Sequence, residues 1–144
     1  MKLKVIGRKE RISLPEWGLK QVSAKVDTGA YTSSIHCEYI ELKIKDSREV
    51  LCFSVLPKTH KKYTGKVVET TDFEQKKVKN SFGQEELRFK VRTKVRMFGE
   101  TFEAEFTLTD RSKMKNPILL GRKLLNGRFL VDVQQVNLSK KRKQ

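Results

Sequence analysis

The stretch Arg88-Phe89-Lys90-Val91-Arg92-Thr93-Lys94-Val95-Arg96-Met97-Phe98-Gly99-Glu100-Thr101-Phe102-Glu103-Ala104-Glu105-Phe106-Thr107-Leu108-Thr109 decides the fold class. Its side chains alternate with period two, the repeat of a strand with one face on a core and the other in water. Before the turn, Phe89, Val91, Val95 and Met97 share one face, while Arg88, Lys90, Arg92, Lys94 and Arg96 share the other. After it, Phe102, Ala104, Phe106 and Leu108 face inward, and Thr101, Glu103, Glu105, Thr107 and Thr109 face outward. The two apolar faces coincide only in registers that a two-residue loop provides. With Gly99-Glu100 as that loop, Arg96 lies opposite Glu103 and Lys94 opposite Glu105. Cross-strand ion pairs of this kind are worth ~0.2–1 kcal/mol each.

The same period recurs on either side. Gln21 to Val26 alternates and runs into Asp27-Thr28-Gly29-Ala30. Ile40 to Lys45 alternates again, and Asp46-Ser47 marks a turn before Val50 to Val55. The apolar triplet Ile118-Leu119-Leu120 reads as a buried strand, and Phe129 to Val133 as another. One short helix is predicted near the C-terminus, within Gly121 to Gly127, stopped by its glycine. Many short strands with small turns predict an all-β fold, a barrel or sandwich, and argue against βαβ units. No linker or repeat divides the chain. One domain over residues 4–138 is expected, followed by a basic flexible tail, 139–144; the Lys58–Lys62 run is a solvated loop.

The chain has 144 residues, with 32 Lys plus Arg against 17 Asp plus Glu, a formal charge of +15. That length fits one domain. No apolar run approaches the ~18 residues of a membrane span, so no membrane partner is expected. Charges inside Met1 to Arg8 exclude a secretory leader there, and two cysteines are too few for a disulfide framework; a cytoplasmic protein is expected. The charge first suggests nucleic acid. Five basic residues on one strand read either as a stripe for phosphates or as a solvated outer face partly neutralised by glutamates; the second reading is adopted.

The chemistry concentrates at Asp27. A short strand delivers a carboxylate to its end, and Thr28-Gly29 turns the chain sharply. Gly29 permits close backbone approach, and Thr28 can bond laterally to a backbone or to a second threonine. Two such carboxylates side by side share one proton, so one serves as base on a water molecule and the other as acid. This chain carries one such segment. The second carboxylate therefore comes from another copy, making the active unit a homodimer with Asp27 on both sides of a twofold axis. Asp-Thr-Gly alone also fits an ordinary turn.

Val26-Asp27-Thr28-Gly29-Ala30 and, later, Ile118-Leu119-Leu120-Gly121-Arg122-Lys123-Leu124-Leu125 together resemble the retropepsins, the dimeric aspartic peptidases of retroviral type. The fuller strings, Ala24 to His36 and Leu119 to Arg122 with Gly127 to Val133, are similar to a bacterial retropepsin-like group labelled ATP-dependent zinc proteases. That group is linked to ATP-grasp ligases that modify a ribosomal protein. The resemblance covers roughly Val5 to Val133. It implies a closed acid-protease β-barrel and an aspartic endopeptidase, with Asp27 as the catalytic carboxylate, Thr28, Gly29 and Ala30 supporting it, and Leu120, Gly121 and Arg122 structural near the site. A flap is expected at Asn80, Ser81, Phe82 and Gly83, where an ordinary hairpin turn is the other reading. The terminal segments Met1 to Ile6 and Gln135 to Leu138 are expected to interleave with those of a partner copy. Ala30, where pepsin-like enzymes carry serine, offers no hydroxyl to the aspartate, so a less acid pH optimum is expected.

A metal is not expected. His-Glu-x-x-His is missing, and His36 and Cys37, as strand neighbours, point to opposite faces. Cys37 and Cys52 read as buried small apolar residues and His36 as a structural histidine. Asp132 is expected to pair with Arg122 or Arg128. No cofactor is expected, and no phosphate loop supports ATP dependence. The partners expected are a peptide or protein substrate and a second copy of the chain, with an acidic or ribosome-associated partner for the charge. The alternative is a non-catalytic basic module that binds ribosomal or other nucleic acid, or acidic peptides.

Overall fold

The computed structural model describes residues 3–79, 82–111 and 114–141. Among them eleven strands succeed one another: β1 (Lys4–Ile6), β2 (Lys9–Leu14), β3 (Leu19–Val26), β4 (Ser33–Lys45), β5 (Arg48–Val55), β6 (Val68–Thr70), β7 (Phe73–Lys79), β8 (Glu85–Met97), β9 (Glu100–Thr109), β10 (Ile118–Leu120) and β11 (Phe129–Val131). A 3-10 turn, Pro15–Trp17, joins β2 to β3. The predicted helix forms one turn, α1 (Arg122–Leu125), and a second one-turn helix, α2 (Leu138–Lys141), follows β11.

Six strands close a ring in the order β10-β3-β2-β8-β9-β4. Closure depends on β10, which lies parallel to β3 on one side and antiparallel to β4 on the other. The fold is thus all-β, a closed barrel. Its core takes in the inward set that the alternation identified, including Val22, Val91, Val95, Phe106 and Leu108, together with Ile12 of β2. Trp17 packs edge-on to Phe53 at 5.3 Å and tilted against Phe106 at 5.9 Å. Outside the ring, β5 and β6 extend from β4, and β7 pairs with β8. Residues Glu85–Arg88 of β8 pair with β7 alone, so the β7–β8 hairpin projects from the barrel as an arm.

The β8–β9 hairpin keeps its predicted faces but turns one position earlier. Met97 opposes Glu100, Lys94 opposes Glu103 and Arg92 opposes Glu105, so Phe98-Gly99 is the loop. Both loop residues have positive φ, 51° and 78°, the hairpin geometry that matches strand twist. Phenylalanine rarely adopts that conformation; here its ring packs 6.2 Å from that of Phe129. The expected Arg96–Glu103 and Lys94–Glu105 pairs are therefore not formed. Glu105 instead holds Lys90 at 3.4 Å and also Lys123. Arg92, Lys94 and Arg96 carry no ion pair among the described residues.

The terminal segments are engaged within the chain. Within Met1 to Ile6, β1 pairs parallel with β11, Val5 opposite Leu130. Gln135 and Asn137 hydrogen-bond the backbone of Arg8 and Lys9 at 2.9 and 2.8 Å. These segments find partners inside one barrel, where interleaving with a second copy was expected. Residues 139–141, assigned to the expected tail, lie in a helix. α2 runs to Lys141, and Ser139 is buried against Glu10. A fully buried carboxylate there gives the segment an anchor that its lysine-rich composition conceals.

Candidate active site

Asp27 stands at the end of β3, half-buried, with Thr28 and Gly29 exposed beside it and Ala30 half-buried. Its N–H donates to the Leu120 carbonyl of β10 at 2.9 Å. Its Oδ1 accepts the Gly29 N–H at 3.0 Å, and its carbonyl accepts the Ala30 N–H at 3.2 Å. An aspartate bonded two residues ahead makes a tight turn of the kind this side chain favours. One carboxylate oxygen is thus oriented by the backbone, and among the described residues no second carboxylate shares a hydrogen bond with it.

Leu120-Gly121-Arg122 locks the far side of that turn. The Gly121 N–H donates to Ser33 Oγ at 3.0 Å, and the Arg122 and Lys123 N–H groups donate to the Ala30 and Tyr31 carbonyls at 2.8 and 2.9 Å. Arg122 also donates through Nη1 to the Thr28 carbonyl at 2.9 Å, and its guanidinium lies over the Tyr31 ring at 5.8 Å. A Cβ at position 121 would stand 2.8 Å from the Tyr31 carbonyl oxygen and from the Thr32 carbonyl carbon. Glycine is required by this closeness, not by conformation, since its φ is −93°. The two strings, distant in sequence, thus form one structure around Asp27. Ser33 and Tyr31 were not singled out in the sequence. Ser33 carried a signal, a small polar residue two before Ile35 on the inward face.

The candidate flap falls at the turn of the β7–β8 arm. Asn80 and Ser81 lie outside the described residues; Phe82 is 87% exposed and Gly83 has a φ of 77°. Between the arm and the β4–β9 surface runs a groove of about 880 Å³, lined by Thr32, Ser34, Ile40, Leu87, Thr107 and Arg111 among others. Thr32 follows the Asp27 turn in the chain, while Asp27 itself does not line the groove.

His36 is buried, and both ring nitrogens are engaged. Nδ1 accepts the Arg111 N–H at 2.7 Å, and Nε2 lies 3.0 Å from Glu38 Oε2, a pattern that assigns the proton to Nε2. This bond is the first cause that holds the Glu38 carboxyl below its ordinary value. The histidine ties β4 to the loop that leads into β10. Cys37 and Cys52 are buried free thiols, both pushed up chiefly by burial. His60 Nδ1 accepts the Lys62 N–H at 2.9 Å. Both His36 nitrogens are occupied, Cys52 donates to Glu69 at 3.7 Å, and no three His, Cys, Asp or Glu side chains cluster among the described residues, so the residues present do not fit a zinc site. Asp132 pairs with neither arginine. It accepts the Gln134 N–H at 3.0 Å, while Arg122 serves Thr28 and Arg128 stacks 4.3 Å over Phe102.

A family model described as retropepsin-like aspartic endopeptidase RimB matches residues 5–142. The chain belongs to this RimB-like family. Similar curated proteins include one from Desulfotalea psychrophila, 35% identical over 129 residues, and one from Parasynechococcus marenigrum, 36% identical over 128. Each is named a probable alpha-L-glutamate ligase. The matches cover 90% and 89% of this chain but 28% of either relative. The RimB-like chain thus spans little more than a quarter of their length. A crystal structure of a Legionella pneumophila protein of unknown function shares the fold, with a TM-score of 0.74 at 24% identity, covering 96% of this chain and 99% of that one.

Proposed function

We propose that the chain is an aspartic endopeptidase acting as a homodimer, with water activated between the Asp27 carboxylates of two copies. The observation that carries this reading is Asp27 itself: a single carboxylate, half-buried and oriented by Gly29, with Thr28 and Gly29 bare beside it. A second copy brought against that face supplies both the missing carboxylate and the cover. One aspartate of the pair then takes a proton from water as its oxygen adds to the peptide carbonyl carbon, while the protonated partner donates to the carbonyl oxygen. Collapse of the tetrahedral species returns a proton to the leaving nitrogen. In this reading the groove beside Thr32 receives an extended peptide and the β7–β8 arm closes over it as the flap. The ligase name belongs to relatives whose length this chain covers by 28%, and no ligase activity is proposed for it.

The charge favours a second reading. Arg92, Lys94 and Arg96 project from β8 without ion-pair partners among the described residues. They suit an acidic or ribosome-associated partner, or nucleic acid, in the cytoplasm. One experiment separates the readings: wild type and Asp27→Asn on a peptide library from pH 3 to 8, with size-exclusion chromatography beside it. Cleavage lost in the variant and a dimeric wild type support the peptidase; cleavage unchanged by the substitution refutes it. Binding to RNA that weakens steeply with salt would support the basic module.

A further inference from the structure

Glu10 is fully buried, and the chemistry assigned above does not use it. Its Oε2 accepts the N–H groups of Gly7 at 2.7 Å and Leu138 at 3.1 Å. Its Oε1 accepts the N–H of Ser139 at 2.8 Å and its hydroxyl at 2.7 Å. Four donors converge on two oxygens, a donor-only environment that suits a side chain able only to accept. Ser139 in turn accepts the Arg11 N–H at 3.0 Å. The first amides of α2, which such a short helix leaves without internal partners, are thus satisfied by a side chain from β2.

The segment this carboxylate holds lies against the β1–β2 turn, which itself bonds the end of the strand before Asp27. From Asp132 onward the chain doubles back as a strap along Gly7–Lys9. A Cβ on Gly7 would lie 2.3 Å from the Gln135 carbonyl oxygen, so strap and turn touch backbone to backbone. The Gln135 carbonyl accepts the Arg8 N–H at 2.9 Å, and the Arg8 carbonyl accepts the Val26 N–H at 2.9 Å. Val26 is the residue before Asp27. Its neighbour's N–H closes the series on Leu120 at 2.9 Å.

We infer that Glu10 is a positioning residue: it latches the C-terminal strap, which through Arg8 fixes the end of β3 and hence Asp27. This rests on the peptidase reading for its catalytic consequence, but the coupling itself is independent of it. Glutamine at position 10 keeps the size but turns an amide NH2 toward donors, loosening the strap. A misplacement of ~1 Å at a reacting group can cost up to 100-fold in rate.

The test compares Glu10→Gln and Ser139→Ala with wild type in the full chain, by residue-resolved hydrogen exchange and by cleavage of a peptide that wild type cuts. In Glu10→Gln, the Arg8, Val26 and Asp27 amides are expected to exchange at least tenfold faster while those of the β4–β5 hairpin stay within twofold. Its kcat is expected to fall 10- to 100-fold with KM within twofold. Ser139→Ala removes one hydroxyl and gives the same local pattern at about threefold; it decides the matter if Glu10→Gln does not fold. Unchanged exchange at Val26 and Asp27, or one equal rise at all amides, overturns the inference. A wild type that cuts no peptide sinks the peptidase reading while the exchange pattern still decides the latch. A wild type that cuts, with both variants matching it, sinks the latch alone.

Discussion

Gly121→Ala is the sharpest probe of how the site is assembled. Alanine is conformationally acceptable at this φ of −93°, so its whole cost is steric. The new methyl would meet the Tyr31 carbonyl oxygen at 2.8 Å and the Thr32 carbonyl oxygen at 2.9 Å, backbone atoms with no rotamer to retreat into. The loop and the β10–α1 junction must separate, stretching the bonds from Gly121 to Ser33 and from Arg122 to Ala30. Overpacking of this sort costs ~1–3 kcal/mol, and weakening a buried hydrogen bond adds ~1. Against that, alanine restricts the unfolded chain, a gain of ~0.4–1 kcal/mol. The net loss is ~1–3.6 kcal/mol. For 144 residues, an unfolding entropy of ~0.3 kcal/mol/K converts this to a Tm drop of ~3–12 °C. Thermal unfolding followed by circular dichroism measures it. A Tm within ~1 °C of wild type would refute the steric account, and with it the claim that glycine is demanded by the closeness of the two strings.

Three further outcomes are expected. Lys123, and then Lys90, hold the Glu105 carboxyl below its ordinary value, so its contribution is full above the unfolded carboxylate pKa and fades as pH falls through the folded one. The Tm gap between wild type and Glu105→Gln should be steady from pH 6 to 8 and close below about pH 4; a gap that persists at pH 2 contradicts the assignment. Cys37 and Cys52, buried and with raised pKa, should both escape a thiol-disulfide reagent at pH 8 until the protein is unfolded, and rapid labelling of either in the native state would be inconsistent with their burial. Thr109 Oγ1 is buried without a hydrogen-bond partner among the described residues, so Thr109→Val should be neutral or stabilise by up to ~1 kcal/mol in urea unfolding; a clear loss would reveal a partner for that hydroxyl.

What could be read from the residues was whatever depends on period and on local turn chemistry. The strand faces around Phe89–Leu108 follow from alternation alone, and Asp27-Thr28-Gly29 announces a carboxylate on a sharp turn. The hairpin register was misjudged because Phe98, packed against Phe129 and Lys4, takes a positive φ unusual for an aromatic residue. Local sequence does not reveal that. Glu10 was hidden by its neighbours: Lys9-Glu10-Arg11 looks solvated. Period two nevertheless places Glu10 with Ile12 on the inward face, the one signal that was available. The pairing of Lys4–Ile6 with Phe129–Val131 was hidden for a similar reason, since no local pattern connects segments so far apart.

The strap has a kinetic consequence. Glu10 and Ser139 are 129 positions apart, and Lys4 must find Phe129 across almost the whole chain. Closing such long loops costs entropy before any contact repays it, and β-rich topologies of this kind fold in milliseconds to seconds, not microseconds. The order of events is also constrained. The β4–β5 and β8–β9 hairpins can form locally, while β10 must wait for both its neighbours, β3 and β4, to be in place. The carboxylate at the end of β3 therefore gains its fixed surroundings only in the last stages of folding, so a half-folded chain has strands but no organised site.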